Sequence, residues 1–416
     1  MTPKILILSD SYFPLANANG VCVQQLASAL MSIGYNVHVY ALQYTDQELK
    51  EEIGGVMVHR STHNFGNFHH ASLPHVKKNK INVKEMARSF KNKLYVPFYP
   101  LPAIKTIKWF CRDTQRLNEA YGFDCILSVC HPFHSLVAGL LMKRKSKDSC
   151  WMIYTLDSLS NGMSVSTISD QKRMKKGWQW EKFFYKYADA VFNLRCNEKH
   201  YAQPRYDFFR FKMFLVDIPL FNRITIHTKA SYFDKSKVHF VYSGSLAEAY
   251  RNPQYLCQLF TEINKNERYC LHFYSKGCEN FLEQLNEKEN GIMLHGYVSR
   301  EEALGSMLDA DVLVSIGNRV SDMIPSKIFE YMSAGRKIIH LFQNEKDAAL
   351  PYLKQYPYAL LIDENGDFNS NVKNVIEFVN KDDPEMSFDE MASLFEENRP
   401  MYTVRQMDDI LKKVKV

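Results

Sequence analysis

The feature that most constrains the fold is an alternation of short apolar runs with segments of helical period. Ile5–Leu8 is a continuous apolar run, a loop follows as far as Gly20, and a segment with Leu26 and Leu30 on one helical face leads to the next run, at residues 37–41. Continuous apolar runs between helices are typical of strands buried on both faces of a parallel sheet. The pattern therefore predicts an α/β fold built from β-α-β units.

The same alternation starts again at residues 238–242, after a polar stretch at residues 222–237. Strands are further predicted at residues 125–129, 151–155, 270–274, 292–294, 311–315 and 337–341. We expect two Rossmann-like, doubly wound domains, residues 1–228 and 229–416, with the last helix packing back on the first domain. Ligands should bind at the carboxyl ends of the strands, facing an interdomain cleft. The less regular residues 61–110 are interpreted as a long insertion or a loop-helix region.

Composition narrows the class of protein. The 416 residues contain nine scattered cysteines without a C-x-x-C pair, so neither a disulfide framework nor structural zinc is expected, and a cytoplasmic protein is predicted. No apolar run approaches the ~20 residues that span a bilayer, and the N-terminal segment is typical of a first strand, not of a signal peptide.

The net charge of +6 conceals an asymmetry between the two halves. Residues 1–228 carry 30 Lys and Arg against 17 Asp and Glu, a net +13, whereas residues 229–416 carry 22 against 29, a net −7. The basic residues of the first half cluster at residues 77–80, 91–93, 143–145 and 172–176. Each cluster is either a solvated face or a contact with the anionic inner face of the plasma membrane. No nucleic-acid-binding motif accompanies the charge, so no nucleic-acid partner is expected.

The strongest local motif is the segment Ile324–Ile339, IPSKIFEYMSAGRKII. Pro325 and Ser326 are helix-start signals, and Gly335 is a typical left-handed residue after a helix end. Lys327 and Glu330 lie one turn apart, so their side chains are neighbours. Helix-start amides and Lys327 suit a phosphate, and Glu330 suits a vicinal diol. The alternative is an exposed ion pair on a capped helix.

Residues 296–339 resemble the nucleotide-sugar site of family 4 glycosyltransferases, retaining enzymes of the GT-B fold. The resemblance is carried by Gly296–Val298, by the run ADVLVS at residues 310–315 and by the helix motif. It implies that Glu330 binds the donor ribose and that Ser326 and Lys327 lie beside the diphosphate. It further implies that the main chain at Val298 binds the base. Asp322 stands where many members have the first of two glutamates.

The resemblance extends to four other places. The segment at Gly244 is similar to the family's first strand and turn of the second domain, where Ser245 replaces a common arginine and Arg251 could replace a lysine that binds phosphate. Arg251 could equally be a solvated residue at a helix start. Gly20 ends a loop that resembles the family's loop over the donor phosphate and sugar. Alternatively, it is an ordinary residue at a helix start. His131 and Asp157 follow strands, at positions where the family has residues that approach the transferred sugar or the acceptor. Alternatively, His131 is an ordinary loop histidine and Asp157 caps a helix or turn.

Taken together, the resemblance implies a GT-B glycosyltransferase that acts without metal or cofactor. Its donor would be a UDP- or GDP-sugar, its acceptor a glycan or lipid-linked molecule, and its role cell-surface polysaccharide synthesis. Two alternatives remain open, a nucleotide-sugar epimerase of the same fold and a catalytically silent GT-B scaffold. An NAD-dependent oxidoreductase is disfavoured because no G-x-G-x-x-G follows the first strand.

Overall fold

The chain divides into two compact units in a computed structural model. The structure describes residues 2–66, 104–161, 169–226, 233–248, 250–286, 291–319, 324–383 and 386–414. Within these ranges, unit 1 comprises the residues up to Pro219 together with those from Glu397 onward, and unit 2 comprises Leu220–Glu396. The division lies between residues 219 and 220, whereas the polar stretch of the sequence had placed the boundary between 228 and 229.

Unit 1 is built on a sheet of eight strands. Its strands are β1 (Lys4–Leu8), β2 (Asn36–Gln43), β3 (Lys50–Ile53), β4 (Val56–Asn64), β5 (Cys125–Cys130), β6 (Cys150–Thr155), β7 (Ala190–Leu194) and β8 (Met213–Val216). The strand order is β3-β4-β2-β1-β5-β6-β7-β8, and every neighbouring pair is parallel except β3 with β4. The order reverses between β1 and β5, which is where ligands bind in doubly wound sheets.

The helices of unit 1 connect these parallel strands. Those that the structure describes between the strands are α1 (Ala18–Ser32), α2 (Ile104–Tyr121), α3 (Phe133–Lys145), α4 (Asp170–Tyr187) and α5 (Glu198–Tyr201), with 3-10 segments at Arg195–Asn197 and Pro204–Lys212. One core packs strand residues such as Leu6 and Trp151 against Phe110 of α2, Leu140 of α3 and Phe184 of α4. The continuous apolar strands thus acquire the helical cover that they require.

Unit 2 is built on a wholly parallel sheet of six strands. Its strands are β9 (Val238–Ser245), β10 (Tyr269–Lys276), β11 (Ile292–Leu294), β12 (Val312–Ile316), β13 (Lys337–Phe342) and β14 (Ala359–Asp363). The order β11-β10-β9-β12-β13-β14 is the Rossmann order, with its switch point between β9 and β12.

The helices of unit 2 follow its strands in the same alternation. They are α6 (Gln254–Ile263), α7 (Glu279–Asn286), α8 (Arg300–Asp309), α9 (Lys327–Ser333), α10 (Leu350–Leu353), α11 (Phe368–Asn380) and α12 (Phe388–Leu394). A core on one face of the sheet joins Phe240 and Leu271 to Phe260 of α6 and Val375 of α11.

The chain returns to unit 1 at its end, through a 3-10 turn (Glu396–Asn398) and the final helix α13 (Pro400–Val414). Helix α13 packs against α1, and Tyr35 donates a 2.7 Å hydrogen bond to Asp408. Among the helices that the structure describes, none is both long and apolar enough to cross a membrane.

Every strand predicted from an apolar run is confirmed, with ends shifted by a few residues. The prediction of a turn in the segment at Gly244 is wrong, because β9 continues through Ser243–Ser245 and pairs these residues with Tyr274–Lys276 of β10. Residues 61–110 include the end of β4 and the start of α2, and residues 67–103 lie outside the described part of the chain.

Candidate functional site

The predicted donor-binding residues of unit 2 collect at the carboxyl ends of β9 and β12. One pocket there is lined by Ser243 at the end of β9, by Arg251 from the following loop, and by Ser326, Lys327 and Tyr331 around α9. This pocket lies at the switch point of the sheet, where Rossmann-like domains bind their ligands. Two cationic side chains, Arg251 and Lys327, therefore face the same space.

Helix α9 is fixed to the sheet by Tyr331. The buried Tyr331 hydroxyl accepts a 2.8 Å hydrogen bond from the amide of Ser243 and donates a 3.2 Å bond to the Ser243 carbonyl. The helix spans seven residues, and Gly335 follows it with a φ of +69°, so the predicted left-handed glycine is confirmed. Ser326 occupies the N-cap position, but its side chain makes no capping hydrogen bond, contrary to the role expected from its residue type.

Glu330 is the buried acid of this region. Its residue is 6% exposed, Arg300 donates a 2.7 Å hydrogen bond to Oε1, and Lys327 Nζ lies 2.7 Å from Oε2. Burial alone would raise the pKa of Glu330, but the charges of Lys327 and Arg300 lower it to about 2. The carboxylate is therefore ionised at neutral pH, and a diol that binds it has to share or displace one of the two cations.

The ion pair of Lys327 with Glu330 was the alternative interpretation of the motif, and it is present. It is not an exposed pair, however, because Glu330 is buried and a second cation arrives from another helix. Arg300 is a site residue that sequence reasoning missed, since thirty residues separate it from Glu330 and only the fold brings the two together.

The loop before α8 carries the predicted base-binding position. Ser299 caps α8 by accepting a 3.2 Å hydrogen bond from the amide of Glu302, and Arg300 is the first residue of the helix. Val298 directly precedes this cap and is half-buried, while Tyr297 is 72% exposed. Since Arg300 reaches Glu330, the loop that holds Val298 lies on the same side of unit 2 as the buried acid.

The residues after β9 form a tight loop that presents Arg251. The amide of Arg251 donates a 2.8 Å hydrogen bond to the Ala247 carbonyl, and its Nε donates a 2.7 Å bond to Asn318 Oδ1, near the end of β12. Arg251 is thus oriented toward the pocket by a partner beside the neighbouring strand.

Gly244 and Ser245 are the last two residues of β9. A Cβ atom added at Gly244 would meet the Tyr242 hydroxyl at 3.4 Å, which is ordinary van der Waals contact. Its φ of +156° is a conformation that residues with a Cβ atom rarely adopt, so backbone conformation, and not space, is what this glycine provides. The Ser245 side chain is exposed, and Asp322 lies outside the described residues.

The predicted residues of unit 1 gather at its own switch point, after β1, β5 and β6. Asn19 in α1 donates a 3.3 Å hydrogen bond to the carbonyl of His131, and the amide of Asp157 donates a 3.0 Å bond to Cys130. The loops that carry His131 and Asp157 are thus held to each other and to the start of α1. Desolvation raises the pKa of Asp157, and the charge of His131 and a hydrogen bond from Asn19 oppose the rise. Asn19 is a second residue that sequence reasoning missed as a partner in this group.

Gly20 has a structural explanation in the first turn of α1. Its amide donates a 2.9 Å hydrogen bond to Asn17, the N-cap residue, and an added Cβ would lie 2.9 Å from the Ser11 carbonyl oxygen. The glycine allows the loop after β1 to pack against the helix, and its amide already has a partner.

The predicted basic clusters differ in what they expose. Lys143 pairs with Asp189 at 2.8 Å and donates hydrogen bonds to two backbone carbonyls. Arg173 is 6% exposed and donates a hydrogen bond to the Ser160 carbonyl. These two residues therefore belong to the structure of unit 1 rather than to an open charged face. The clusters at residues 77–80 and 91–93 lie outside the described residues.

A larger groove of about 630 Å³ lies at the opposite, amino end of the unit 2 sheet, and its lining includes Asp311, Gly335, Lys337 and Asp383. Lys337 and Asp383 are ion-paired there at 3.3 Å, so acids as well as cations line the groove, whereas the described lining of the switch-point pocket contains Arg251 and Lys327 and no acid. Charge, and not size, distinguishes the pocket at the switch point.

Comparison with known proteins supports the fold. No family model matches the chain, and no curated protein matches it. Among solved structures, an α,α-trehalose-phosphate synthase (UDP-forming) from Burkholderia xenovorans, in complex with glucose-6-phosphate, is similar with a TM-score of 0.63 at 10% identity over 99% of this chain and 100% of that one.

Two further structures extend the comparison. The catalytic domain of starch synthase IV from Arabidopsis thaliana, bound to ADP and acarbose, has a TM-score of 0.57 at 11% identity, covering 100% of this chain and 99% of that one. A UDP-GlcNAc 2-epimerase from Methanocaldococcus jannaschii has a TM-score of 0.54 at 11% identity, covering 98% and 99%. The chain therefore has the GT-B fold, with two Rossmann-like domains, that the sequence predicted.

Proposed function

We propose that the protein is a retaining glycosyltransferase that moves a sugar from a UDP- or GDP-sugar to a glycan or lipid-linked acceptor in cell-surface polysaccharide synthesis. The observation that carries the proposal is that Arg251 and Lys327 line one pocket at the switch point of unit 2. Two cations at one pocket suit a diphosphate, which accepts charge-assisted hydrogen bonds from both. The adjacent, ionised Glu330 suits the hydroxyl groups of the ribose, and the loop at Val298 suits the base.

The proposed reaction depends on stabilising the negative charge that develops on the departing diphosphate. As the bond from the anomeric carbon to the diphosphate breaks, its electron pair passes to the phosphate oxygen, and Arg251 and Lys327 stabilise the added negative charge. The acceptor oxygen bonds to the same face of the sugar, and its proton goes to the departing diphosphate. His131 and Asp157 are assigned to the sugar and acceptor. No metal, cofactor or enzyme nucleophile is part of the proposal.

A binding screen tests the donor site. We expect one nucleotide among UDP, GDP and ADP, with its sugar derivatives, to raise the melting temperature of the wild-type protein. Replacing Lys327 by Ala should weaken that binding by about 1–3 kcal/mol, as for loss of a charge-assisted hydrogen bond, and Glu330→Ala should abolish it. Lys373→Ala, at an exposed lysine of α11, is the matched control and should bind as the wild type does. No stabilisation by any nucleotide would favour the silent scaffold, and unchanged binding by Glu330→Ala would contradict the ribose assignment.

An epimerase is the second candidate, since a UDP-GlcNAc 2-epimerase has a similar fold. Product analysis separates the two functions. With donor alone, an epimerase converts the nucleotide sugar to its epimer, whereas a transferase requires an acceptor to consume it. A glycoside product with the anomeric configuration of the donor, detected by NMR, is the outcome that we expect.

Asp157→Asn should then lower kcat without weakening nucleotide binding.

We also propose that unit 1 contacts an anionic membrane, through an aromatic and basic surface at Pro204–Lys212. Phe208 and Phe211 are 76% and 79% exposed, Arg210 is an exposed neighbour that pairs with Asp207, and Lys212 Nζ lies 5.6 Å from the Phe211 ring centre. Exposed phenylalanines beside cations suit the boundary between headgroups and acyl chains. There, the burial of the aromatic rings and the attraction of the cations to anionic lipids both contribute to binding.

Vesicle sedimentation tests this surface. Replacing Phe208 and Phe211 together by Ser should lower binding to vesicles of phosphatidylglycerol and phosphatidylcholine by at least about tenfold, because each inserted side chain contributes roughly 1.5–3 kcal/mol. Tyr297→Ser, which removes a comparably exposed aromatic residue from unit 2, is the control and should bind as before. Equal binding by the double variant and the wild type would remove this surface from the proposal.

A further inference from the structure

Unit 2 contains a buried cluster of metal-ligating side chains that the proposed function does not use. His239 on β9 and Cys270 and His272 on β10 are 5%, 1% and 3% exposed. One ligand atom from each lies within 4.8 Å of the others, and within the ranges that the structure describes no other set of three His, Cys, Asp or Glu residues does so. A nitrogen–sulfur set of this kind is the chemistry that proteins use for zinc.

Strand pairing places the three residues together. His239 is the register partner of Cys270 in the parallel pair β9–β10, so both side chains project from the same face of the sheet. His272 lies two residues after Cys270 and therefore projects from that face as well. The two strands thus fix the backbone positions of all three residues.

The hydrogen bonds of His239 leave the lone pair of its Nδ1 available to a metal ion. His239 Nε2 lies 2.6 Å from the carbonyl oxygen of Asp234, which can only accept, so Nε2 carries the proton. The lone pair of Nδ1 therefore points at His272 Nε2, 2.9 Å away. Ligating histidines commonly donate their second N–H to a backbone carbonyl in this way.

The second histidine is linked to the surface. His272 Nδ1 lies 3.0 Å from Nε2 of His295, whose side chain is exposed. If the proton on His272 Nε2 is transferred to Nδ1, the imidazole stays neutral, its Nε2 becomes a ligand, and its Nδ1 donates to His295. His295 can exchange its own proton with water at its other nitrogen.

We propose that His239 Nδ1, His272 Nε2 and Cys270 Sγ bind one Zn²⁺, with water as a fourth ligand. Two nitrogens at Zn–N distances near 2.05 Å are about 3.3 Å apart in tetrahedral geometry, so the 2.9 Å contact has to widen by only about 0.4 Å. Binding releases the thiol proton of Cys270 and leaves both imidazoles neutral. The ion would link β9 to β10 near the amino ends of these strands, away from the pocket at their carboxyl ends.

Unit 1 offers a matched control. His38 on β2 and His59 on β4 are 4% and 5% exposed and form the same kind of contact, Nδ1 to Nε2 at 3.0 Å. Among the described residues, no cysteine or acid joins this pair in a set of three. A buried histidine pair alone is thus present in the same chain, and comparing the two pairs isolates the contribution of the thiol.

The experiment uses the full chain after removal of metal by a chelator. We expect the wild type to bind one equivalent of Zn²⁺ in competition with a chromophoric chelator, to gain thermal stability, and to show a thiolate-to-metal charge-transfer band with Co²⁺. Cys270→Ser should lose that band and bind zinc at least about tenfold more weakly. His59→Ala should keep the wild-type stoichiometry and spectrum.

Two results would overturn the proposal. One is a wild-type protein that binds clearly less than one equivalent and shows no thiolate band, in which case the histidines form only a hydrogen-bonded ladder. The other is a Cys270→Ser variant with wild-type affinity and band, which would place the ion elsewhere, for example at the exposed Cys196. If Cys270→Ser does not fold, the stoichiometry and the cobalt spectrum of the wild type decide the question.

Discussion

At the scale of single residues, Glu330 shows how the fold maintains a buried charge. Removing a carboxylate from water is costly, and here two cations at 2.7 Å offset that cost. The resulting pKa of about 2 lies below the ordinary value of 4.5, so the folded state favours the ionised form. Glu330 therefore contributes stability at neutral pH whether or not a ligand is bound.

This contribution has a defined pH dependence. Because the pKa is lower in the folded than in the unfolded state, the stabilisation is complete above about pH 4.5 and disappears as the pH falls toward 2. Glu330→Gln should lower the free energy of unfolding by about 2–3 kcal/mol at pH 7 and by much less at pH 3. Urea unfolding at both pH values measures the difference.

Glu377→Gln is the control for this prediction, since the exposed Glu377 pairs with Lys373 along the surface of α11. Surface pairs of this kind contribute about 0.3–0.5 kcal/mol. If Glu330→Gln cost the same free energy at pH 3 as at pH 7, the ionised carboxylate would not be the stabilising group.

The sequence could predict part of this site and not the rest. One helical turn between Lys327 and Glu330 made their contact predictable, and the family resemblance made Arg251 a candidate for binding phosphate. Arg300 was not predictable, because its contact with Glu330 depends on how α8 and α9 pack in unit 2. The zinc ligands are similarly distant in sequence, and only the pairing of β9 with β10 brings His239 to Cys270.

At the scale of elements, the contact of α4 with the loop after β6 organises the Asp157 side of unit 1. Ser158 and Ser160 donate to the buried Glu181 of α4 at 2.8 and 2.6 Å. One turn before Glu181, Gly177 leaves room for this loop, since an added Cβ would lie 2.1 Å from the Leu159 carbonyl oxygen. The glycine is therefore what allows helix and loop to meet.

Gly177→Ala should consequently destabilise the protein, although alanine is ordinarily better than glycine inside a helix by about 1 kcal/mol. The added methyl group has to push the loop or the helix away, at a cost of about 1–3 kcal/mol. Gln179→Ala, at an exposed position of the same helix, should change the free energy of unfolding little. Chemical unfolding followed by far-UV circular dichroism measures both, and a more stable Gly177→Ala variant would contradict the packing argument.

Buried strands such as β1, β5 and β13 were predictable because their continuous apolar runs leave no other good location, but β7, buried at all five residues, was not predicted. Strand β3 was not, since its sequence KEEI is charged, half-exposed and lies at the antiparallel edge of the sheet. The end of β9 was mistaken for a turn because Ser-Gly-Ser is typical of turns, whereas eight residues of register with β10 override that local preference.

At the scale of the whole molecule, the chain closes unit 1 with its last segment. Glu397 accepts two hydrogen bonds from Arg195, and α13 buries Val404, Met407 and Leu411. A fully buried apolar side chain stabilises by roughly 1.5–3 kcal/mol, so these three together approach the total stability of a typical domain. Unit 1 thus depends on residues that follow unit 2 in the sequence.

Ending the chain after Glu396 should therefore unfold or strongly destabilise unit 1 and spare unit 2. Tryptophan fluorescence reports this directly, because all four tryptophans, at positions 109, 151, 178 and 180, belong to unit 1. We expect the truncated chain to show the emission of solvated tryptophan while a nucleotide still protects the unit 2 segment from proteolysis. A chain ending after Leu411 loses residues 412–416, of which Lys412, Lys413 and Val414 are exposed, keeps the buried residues of α13, and should fluoresce as the full chain does. Native emission from the chain that ends at Glu396 would mean that unit 1 is complete without α13.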